Sequence, residues 1–263
     1  MNRFFADNKY ETKGNRRNIF DRLFLNTRWY FVYGYVKEVI KGSRLALKNQ
    51  YDTAQWANAS NNIVKNIEKS GGRFFIDGID NITKVEGPVV FVSNHMSTLE
   101  TFVFPSIICP LKEMTYVVKD SLIEMPLFGN IMKSRNPIVV SRKNSRQDLL
   151  NVIKQGKENI EKGISIVLFP EGTRQESFNP ENFNSLGVKL AKEAGVPVIP
   201  VAIKTDFWGN GKLIKDIGPI RRKEPVCISF GEPVFIEGSG KAENKLIIDF
   251  ISQKVEEFKT YKV

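Results

Sequence analysis

The sequence predicts an α/β fold: a mostly parallel central sheet flanked by helices and preceded by a helical N-terminal module. Three observations carry that expectation. Short β-branched runs recur between residues 88 and 203, several apolar at almost every position, as strands buried on both faces are. Stretches of helical period alternate with them, the order that builds a parallel sheet. Ahead of both, basic and aromatic residues interleave without a strand signal, which divides the chain into residues 1–70 and 71–263.

Taken in order, residues 15–70 read as helical, with a break around Asn58–Asn62 and a stop at Gly71–Gly72. The strands are expected at Pro88–Ser93, Met114–Val118, Pro137–Val140, Ser165–Phe169 and Val196–Ile203. Between the third and fourth, Ser145-Arg-Gln-Asp148 resembles a capped helix start. Leu149, Leu150, Ile153 and Ile160 supply its apolar face, and Gly163 its stop. Further helices are expected from about Ser185 to Ala194, ended by Gly195, and from Lys245 to Phe258. Val226–Ile236, which contains Pro233, reads as a late, peripheral strand.

Composition sets outer bounds. With 263 residues, 41% of them apolar, the chain can bury a real core. Its formal charge of +10 calls for an anionic partner: nucleic acid, a membrane surface, or a phosphorylated or coenzyme-bound substrate. The single histidine excludes two-His zinc sites and His–His relays. Cys109 and Cys227 stand too far apart in sequence for a CxxC pair, and so sparse a usage fits a reducing, cytoplasmic compartment. No apolar h-region with a cleavage site opens the chain, and no apolar run approaches the ~20 residues that span a bilayer.

The charge is unevenly placed. Residues 1–50 hold eleven Lys and Arg, Arg16 among them, against four acids. Phe20, Leu23, Phe24, Leu25, Trp29, Tyr30 and Phe31 lie among those cations. Cations that snorkel over buried aromatics are what a helix lying in a membrane interface needs, so the N-terminal module is expected to associate with anionic lipid. A surface helix packed on its own domain accounts for the same pattern.

Two clusters follow predicted strands. His95, after Val92-Ser93-Asn94, sits where ligands gather in open α/β sheets, beyond a strand's carboxyl end. Glu100 lies five residues on, in the S-x-x-E pattern Ser97–Glu100 of a capping box. One reading has the carboxylate fixing the imidazole tautomer so that the ring serves as a general base. The other has Glu100 merely satisfying the Ser97 N–H. Backbone N–H groups at the start of that helix are candidate oxyanion donors. The second cluster, Phe169-Pro-Glu171-Gly172-Thr173-Arg174, combines a permissive glycine, a hydroxyl and a guanidinium suited to phosphate, or else forms a turn with a surface Arg–Glu pair. Lys119 and Arg142 fall at two more strand ends on the same rim. Together these cations and the imidazole outline a pocket for an anionic substrate beside a base.

With those residues in view, the chain resembles the glycerolipid acyltransferases, nearest to their bacterial 1-acylglycerol-3-phosphate (lysophosphatidate) branch. Four ordered stretches between about residues 74 and 236 carry the likeness: Asn94-His95…Glu100, Lys119…Pro126…Gly129…Arg142, Phe169–Arg174 and Val196–Val201. The resemblance implies that His95 deprotonates an acceptor hydroxyl for direct attack on an acyl thioester and that Glu100 orients it. It implies that Lys119, Arg142, Glu171, Gly172, Thr173 and Arg174 hold the acceptor's phosphate, while Val196–Val201 shapes an acyl pocket. Acyl-CoA or acyl-carrier protein is the expected donor, a lysolipid the acceptor, with no metal or other cofactor and no nucleic acid. Two positions depart from the family pattern: Glu100 where an Asp is usual, and Ser141 where an Asp usually precedes the arginine. Another lysolipid, glycerol 3-phosphate or a lyso-aminolipid remains open as acceptor, and a non-catalytic peripheral lipid-binding protein remains open as a different class.

Overall fold

The structure, a computed structural model, describes residues 3–14, 17–211 and 216–262; Arg16 lies outside them. The helices are α1 (Ile19–Leu23), α2 (Trp29–Leu47), α3 (Thr53–Lys69), α4 (Leu99–Ile108), α5 (Asp120–Glu124), α6 (Phe128–Lys133), α7 (Ser145–Glu161), α8 (Leu186–Ala194) and α9 (Lys241–Phe258). The strands are β1 (Tyr10–Glu11), β2 (Phe74–Asp77), β3 (Val90–Ser93), β4 (Met114–Lys119), β5 (Ile138–Val140), β6 (Ser165–Leu168), β7 (Val198–Lys204) and β8 (Val226–Phe230). They form one sheet in the order β1-β2-β8-β7-β3-β6-β4-β5, parallel except at β1/β2 and β7/β8.

Alternation along the strands sends side chains into two cores. Phe91 of β3 joins α2, α3 and α4 on one face of the sheet, while Val90 and Val92 join α7, α8 and α9 on the other. Because Phe31, Val32 and Val39 of α2 belong to the first core, the N-terminal helices share their interior with the sheet.

Several sequence expectations need correction. The helical stretch is unbroken at Asn58–Asn62: α3 runs through, with Asn58 and Asn62 on its exposed side and Trp56, Ser60 and Ile63 buried. Tertiary burial outweighs the weak helix propensity of asparagine. The real break falls at residues 48–52, where Asn49 is left-handed (φ 55°) and Asp52 caps α3 by accepting from the Gln55 N–H at 2.7 Å. In α7 the inward residues are Val152, Gly156 and Ile160, whereas Leu150 is exposed. Val226–Ile236 is neither one strand nor peripheral. β8 stops at Phe230, is wholly buried, and pairs with both β7 and β2. The chain then turns at Gly231, where a Cβ would come within 2.7 Å of Pro200, and Val234 returns to bridge Val198.

Candidate active site

Four strand ends meet on one rim. His95 follows β3 between β6 and β7, Lys119 ends β4, Arg142 follows β5, and Phe169–Arg174 follows β6. The loop after β3 is held as though the strand continued. The Asn94 side chain donates to the Ile203 carbonyl at 3.0 Å and accepts the Ile203 N–H at 2.9 Å, taking both backbone groups of β7.

His95 is fixed on three sides. Its Nδ1 lies 2.7 Å from Glu100 Oε1, its ring stacks on Phe169 with centroids 4.3 Å apart, and its backbone N–H donates to Glu171 Oε2 at 2.8 Å. Glu100 has no exposure at all. Oε1 also accepts the Met96 and Ser97 N–H groups at 2.8 and 2.9 Å, and Oε2 accepts the Thr205 hydroxyl at 2.7 Å. Burial pushes this carboxyl up, but the hydrogen bonds and charge of His95 together with the Thr205 hydroxyl outweigh it, so it stays below its ordinary value. An ionised carboxylate only accepts, so Nδ1 carries a proton towards Glu100, and in the neutral ring the lone pair is then on Nε2.

One carboxylate therefore both accepts from the loop backbone and contacts the ring. Its helix starts later than the capping-box pattern suggests, at Leu99 with Thr98 as N-cap. Of the N–H groups expected as oxyanion donors, that of Leu99 is committed to Ser97 Oγ, and those of Met96 and Ser97 just before the helix are committed to Glu100.

A cavity of about 570 Å³ opens beside the imidazole. His95, Lys119, Arg142, Gly172 and Arg174 line it. Val39, Trp56 and Ile63 of α2 and α3 and Phe128, Ile131 and Met132 of α6 give it an apolar lining as well. Glu171 and Thr173 are not among the lining residues. Glu171 turns away to the His95 backbone, and burial pushes its carboxyl up to about 7, only partly opposed by the His95 N–H. Thr173 Oγ1 accepts from Gln175 on the exposed surface. None of Val196–Val201 lines the cavity either, because that segment is strand interior between β3 and β8.

Arg142 is a left-handed non-glycine residue (φ 58°). Asp148 Oδ2 holds its backbone N–H at 2.7 Å and Asp148 Oδ1 the Ser141 N–H at 2.9 Å, so α7 supplies a carboxylate beside the position where the family pattern has its aspartate. Long-range partners were invisible in the sequence. The clearest is Asp216, which lies 2.7 Å from Arg174 and accepts from Thr98. Phe169 and Thr205 are others.

The sequence profile of the Acyltransferase family matches residues 73–204, which is half of the chain and contains His95, Glu100, Lys119, Arg142 and Glu171–Arg174. The chain belongs to the acyltransferase family. Among curated acyltransferases, it is 33% identical over 172 residues to the 1-acyl-sn-glycerol-3-phosphate acyltransferase of Pseudomonas aeruginosa, covering 65% of this chain and 63% of that one. It is 27% identical over 168 residues to the lyso-ornithine lipid O-acyltransferase of the same organism, covering 59% and 63%. The chain thus spans less than two thirds of the length of these relatives. A solved structure, the 1-acyl-sn-glycerophosphate acyltransferase of Thermotoga maritima, superimposes with a TM-score of 0.63 over 92% of this chain and 98% of its own. At 21% identity that likeness speaks for the fold.

Proposed function

We propose that the protein transfers a fatty acyl group from acyl-CoA or acyl-carrier protein to the free hydroxyl of a lysophosphatidate-like acceptor in phospholipid biosynthesis. The observation that carries this reading is the contact of the chain's single imidazole with a fully buried carboxylate, in the wall of a cavity lined by Lys119, Arg142 and Arg174 and by many apolar side chains. His95 Nε2 takes the acceptor's hydroxyl proton as the oxygen attacks the thioester carbonyl. The C–S bond breaks, and the departing thiolate recovers the proton from the imidazolium. Lys119, Arg142 and Arg174 hold the phosphate, and the apolar wall takes an acyl chain. Glu171 positions the His95 loop, while Gly172 lets the loop backbone approach the substrate. The reaction as written draws on no metal or resident cofactor.

The same reading places the protein peripherally on the cytoplasmic face of a membrane. Ile19, Phe20, Leu23, Phe24, Leu25 and Trp29 form an exposed apolar patch along α1 and the start of α2, with Leu25 84% exposed. Arg22 and Arg28 stand among them, the Arg28 guanidinium 5.3 Å from the Trp29 ring centre. Among the described residues, no helix is long and apolar enough to cross a membrane. Cys109 and Cys227 are buried free thiols, as a reducing compartment allows.

The test is thiol release from acyl-CoA with lysophosphatidate as acceptor, run on the wild type and on His95→Ala. Release that depends on the acceptor and disappears in the variant supports the reading. Equal release by both proteins would overturn it.

A further inference from the structure

α2 places a hydroxyl on the wall of the cavity. Tyr35 lines it together with His95, Thr98, Arg174 and Asp216. Its ring is held edge-on between Phe102, with centroids 5.0 Å apart and planes at 89°, and Trp208, at 5.0 Å and 69°. Both neighbours belong to the segments that hold Arg174. Phe102 lies one helical turn beyond Thr98, whose hydroxyl donates to Asp216 at 2.6 Å, and Asp216 pairs with Arg174 at 2.7 Å. Trp208 lies two residues before Asn210, which accepts from Arg174 Nη1 at 3.3 Å. The phenol is thereby placed beside the guanidinium, and the charges of Asp216 and Arg174 both act on it. Among the described residues its hydroxyl has no hydrogen-bond partner, although a tyrosine O–H largely shielded from water ordinarily finds one.

We infer that Tyr35 binds the acceptor's phosphate, its hydroxyl donating to the same phosphate that Arg174 holds. Burial, with the charge of Asp216, pushes the phenol well above its ordinary value, and Arg174 opposes this only in part. The group therefore stays protonated at neutral pH and keeps its proton to donate. Asp216 does not take it, its bonds being to Thr98 and Arg174. Arg174 can serve two partners: a guanidinium carries five N–H groups, and the contacts with Asp216 and Asn210 leave others for a phosphate. A phosphate monoester offers three acceptor oxygens, enough for a guanidinium and a phenol together. A bound phosphate thus supplies the acceptor that the hydroxyl lacks in the free protein. α2 also begins at the exposed Trp29, six residues before Tyr35, so the helix proposed to rest on lipid is itself part of the acceptor site.

This inference rests on the phosphate role proposed for Arg174, and the experiment separates the two. Full-length wild type, Tyr35→Phe and Arg174→Ala are assayed with lysophosphatidate and acyl-CoA, each varied in turn, and their thermal melts are recorded. Phenylalanine keeps the ring contacts with Phe102 and Trp208 and removes only the hydroxyl. In Tyr35→Phe, kcat/KM for lysophosphatidate is expected to fall about tenfold or more, mainly through KM, the scale of one hydrogen bond to a charged group. The value for acyl-CoA and the melting temperature are expected to match wild type, because the hydroxyl makes no bond in the free protein. An unchanged kcat/KM for lysophosphatidate, or an equal loss on both substrates, overturns the assignment. So does a clear drop in melting temperature, which would show that the hydroxyl serves the fold. If Arg174→Ala impairs lysophosphatidate use while Tyr35→Phe does not, the inference alone fails. If Arg174→Ala leaves that use intact, the phosphate role of Arg174 fails and the assignment of Tyr35 with it.

Discussion

Glu100 Oε1 lies 2.7 Å from His95 Nδ1 and accepts the Met96 N–H at 2.8 Å, so one oxygen fixes both the imidazole and the loop that bears it. The two partners therefore differ in what their loss costs. His95→Ala leaves Glu100 with the Met96, Ser97 and Thr205 donors, so the fold survives while general-base catalysis, commonly worth about 10²–10⁴ in rate, disappears. Glu100→Ala empties a buried site ringed by donors and is expected to destabilise the protein by about 3–5 kcal/mol as well as inactivate it. Thermal melts beside activity measurements distinguish the variants; similar melting temperatures would contradict the dual role.

Phe169 faces the other side of the same ring, with planes 21° apart. Phe169→Leu keeps the apolar volume but not the flat contact. We expect kcat to fall while KM for the acceptor changes little, since the imidazole loses orientation and the phosphate cations are untouched. A rise in KM with kcat unchanged would argue that Phe169 serves substrate binding instead.

The two carboxylates near His95 respond oppositely to pH. Glu100 is held below its ordinary value, so its stabilisation is present above the usual carboxylate range and is lost as pH falls through the lowered value. Glu171 is raised from 4.5 to about 7, so the folded protein binds a proton that the unfolded chain has already released, and stability declines as pH rises across that interval. Glu171→Gln is neutral throughout and keeps an oxygen for the His95 N–H. Its melting temperature relative to wild type should climb between about pH 4.5 and pH 7 and level off above. A flat difference would show that Glu171 is not perturbed.

Leu25, exposed and left-handed at φ 54°, stands in the turn between α1 and α2. Leu25→Asp together with Phe24→Asp is expected to weaken binding to anionic vesicles by about tenfold or more, given about 1.5–3 kcal/mol for each large apolar side chain withdrawn from lipid. Sedimentation with vesicles measures it, and wild-type affinity in the double variant would remove the patch from membrane attachment. Deleting the whole segment is a poorer test, because Phe31, Val32 and Val39 would leave the core with it.

What could be read from the sequence follows the range of the interactions involved. The five runs predicted as strands are β3 to β7 within one or two residues at each end, because an apolar run bounded by Pro, Gly and charge is a local signal. The contact of His95 with Glu100 is likewise local, five residues apart. Asp216 is different: 42 residues separate it from Arg174 and 118 from Thr98, and its own segment carries no motif. The two-residue β1 and β2 escaped, and β8 reads as longer and more peripheral than it is, for a related reason, since pairing partners far along the chain define them. Leu150 and Val152 exchanged places because helical period gives the width of the apolar face but fixes its phase only within a residue or two.

Arg222 gives the N-terminal patch a mechanical footing. Its guanidinium reaches the carbonyls of Ser70, Asn26 and Thr27 at 2.7–2.9 Å and the buried Asp21 carboxylate at 2.8 Å, and Asp21 is also paired with Arg17. The turn that exposes Leu25 is therefore latched to the chain leading into β8 through a single planar group. The position of that exposed turn relative to the sheet, and so to His95 at the end of β3, is therefore held by contacts within the protein.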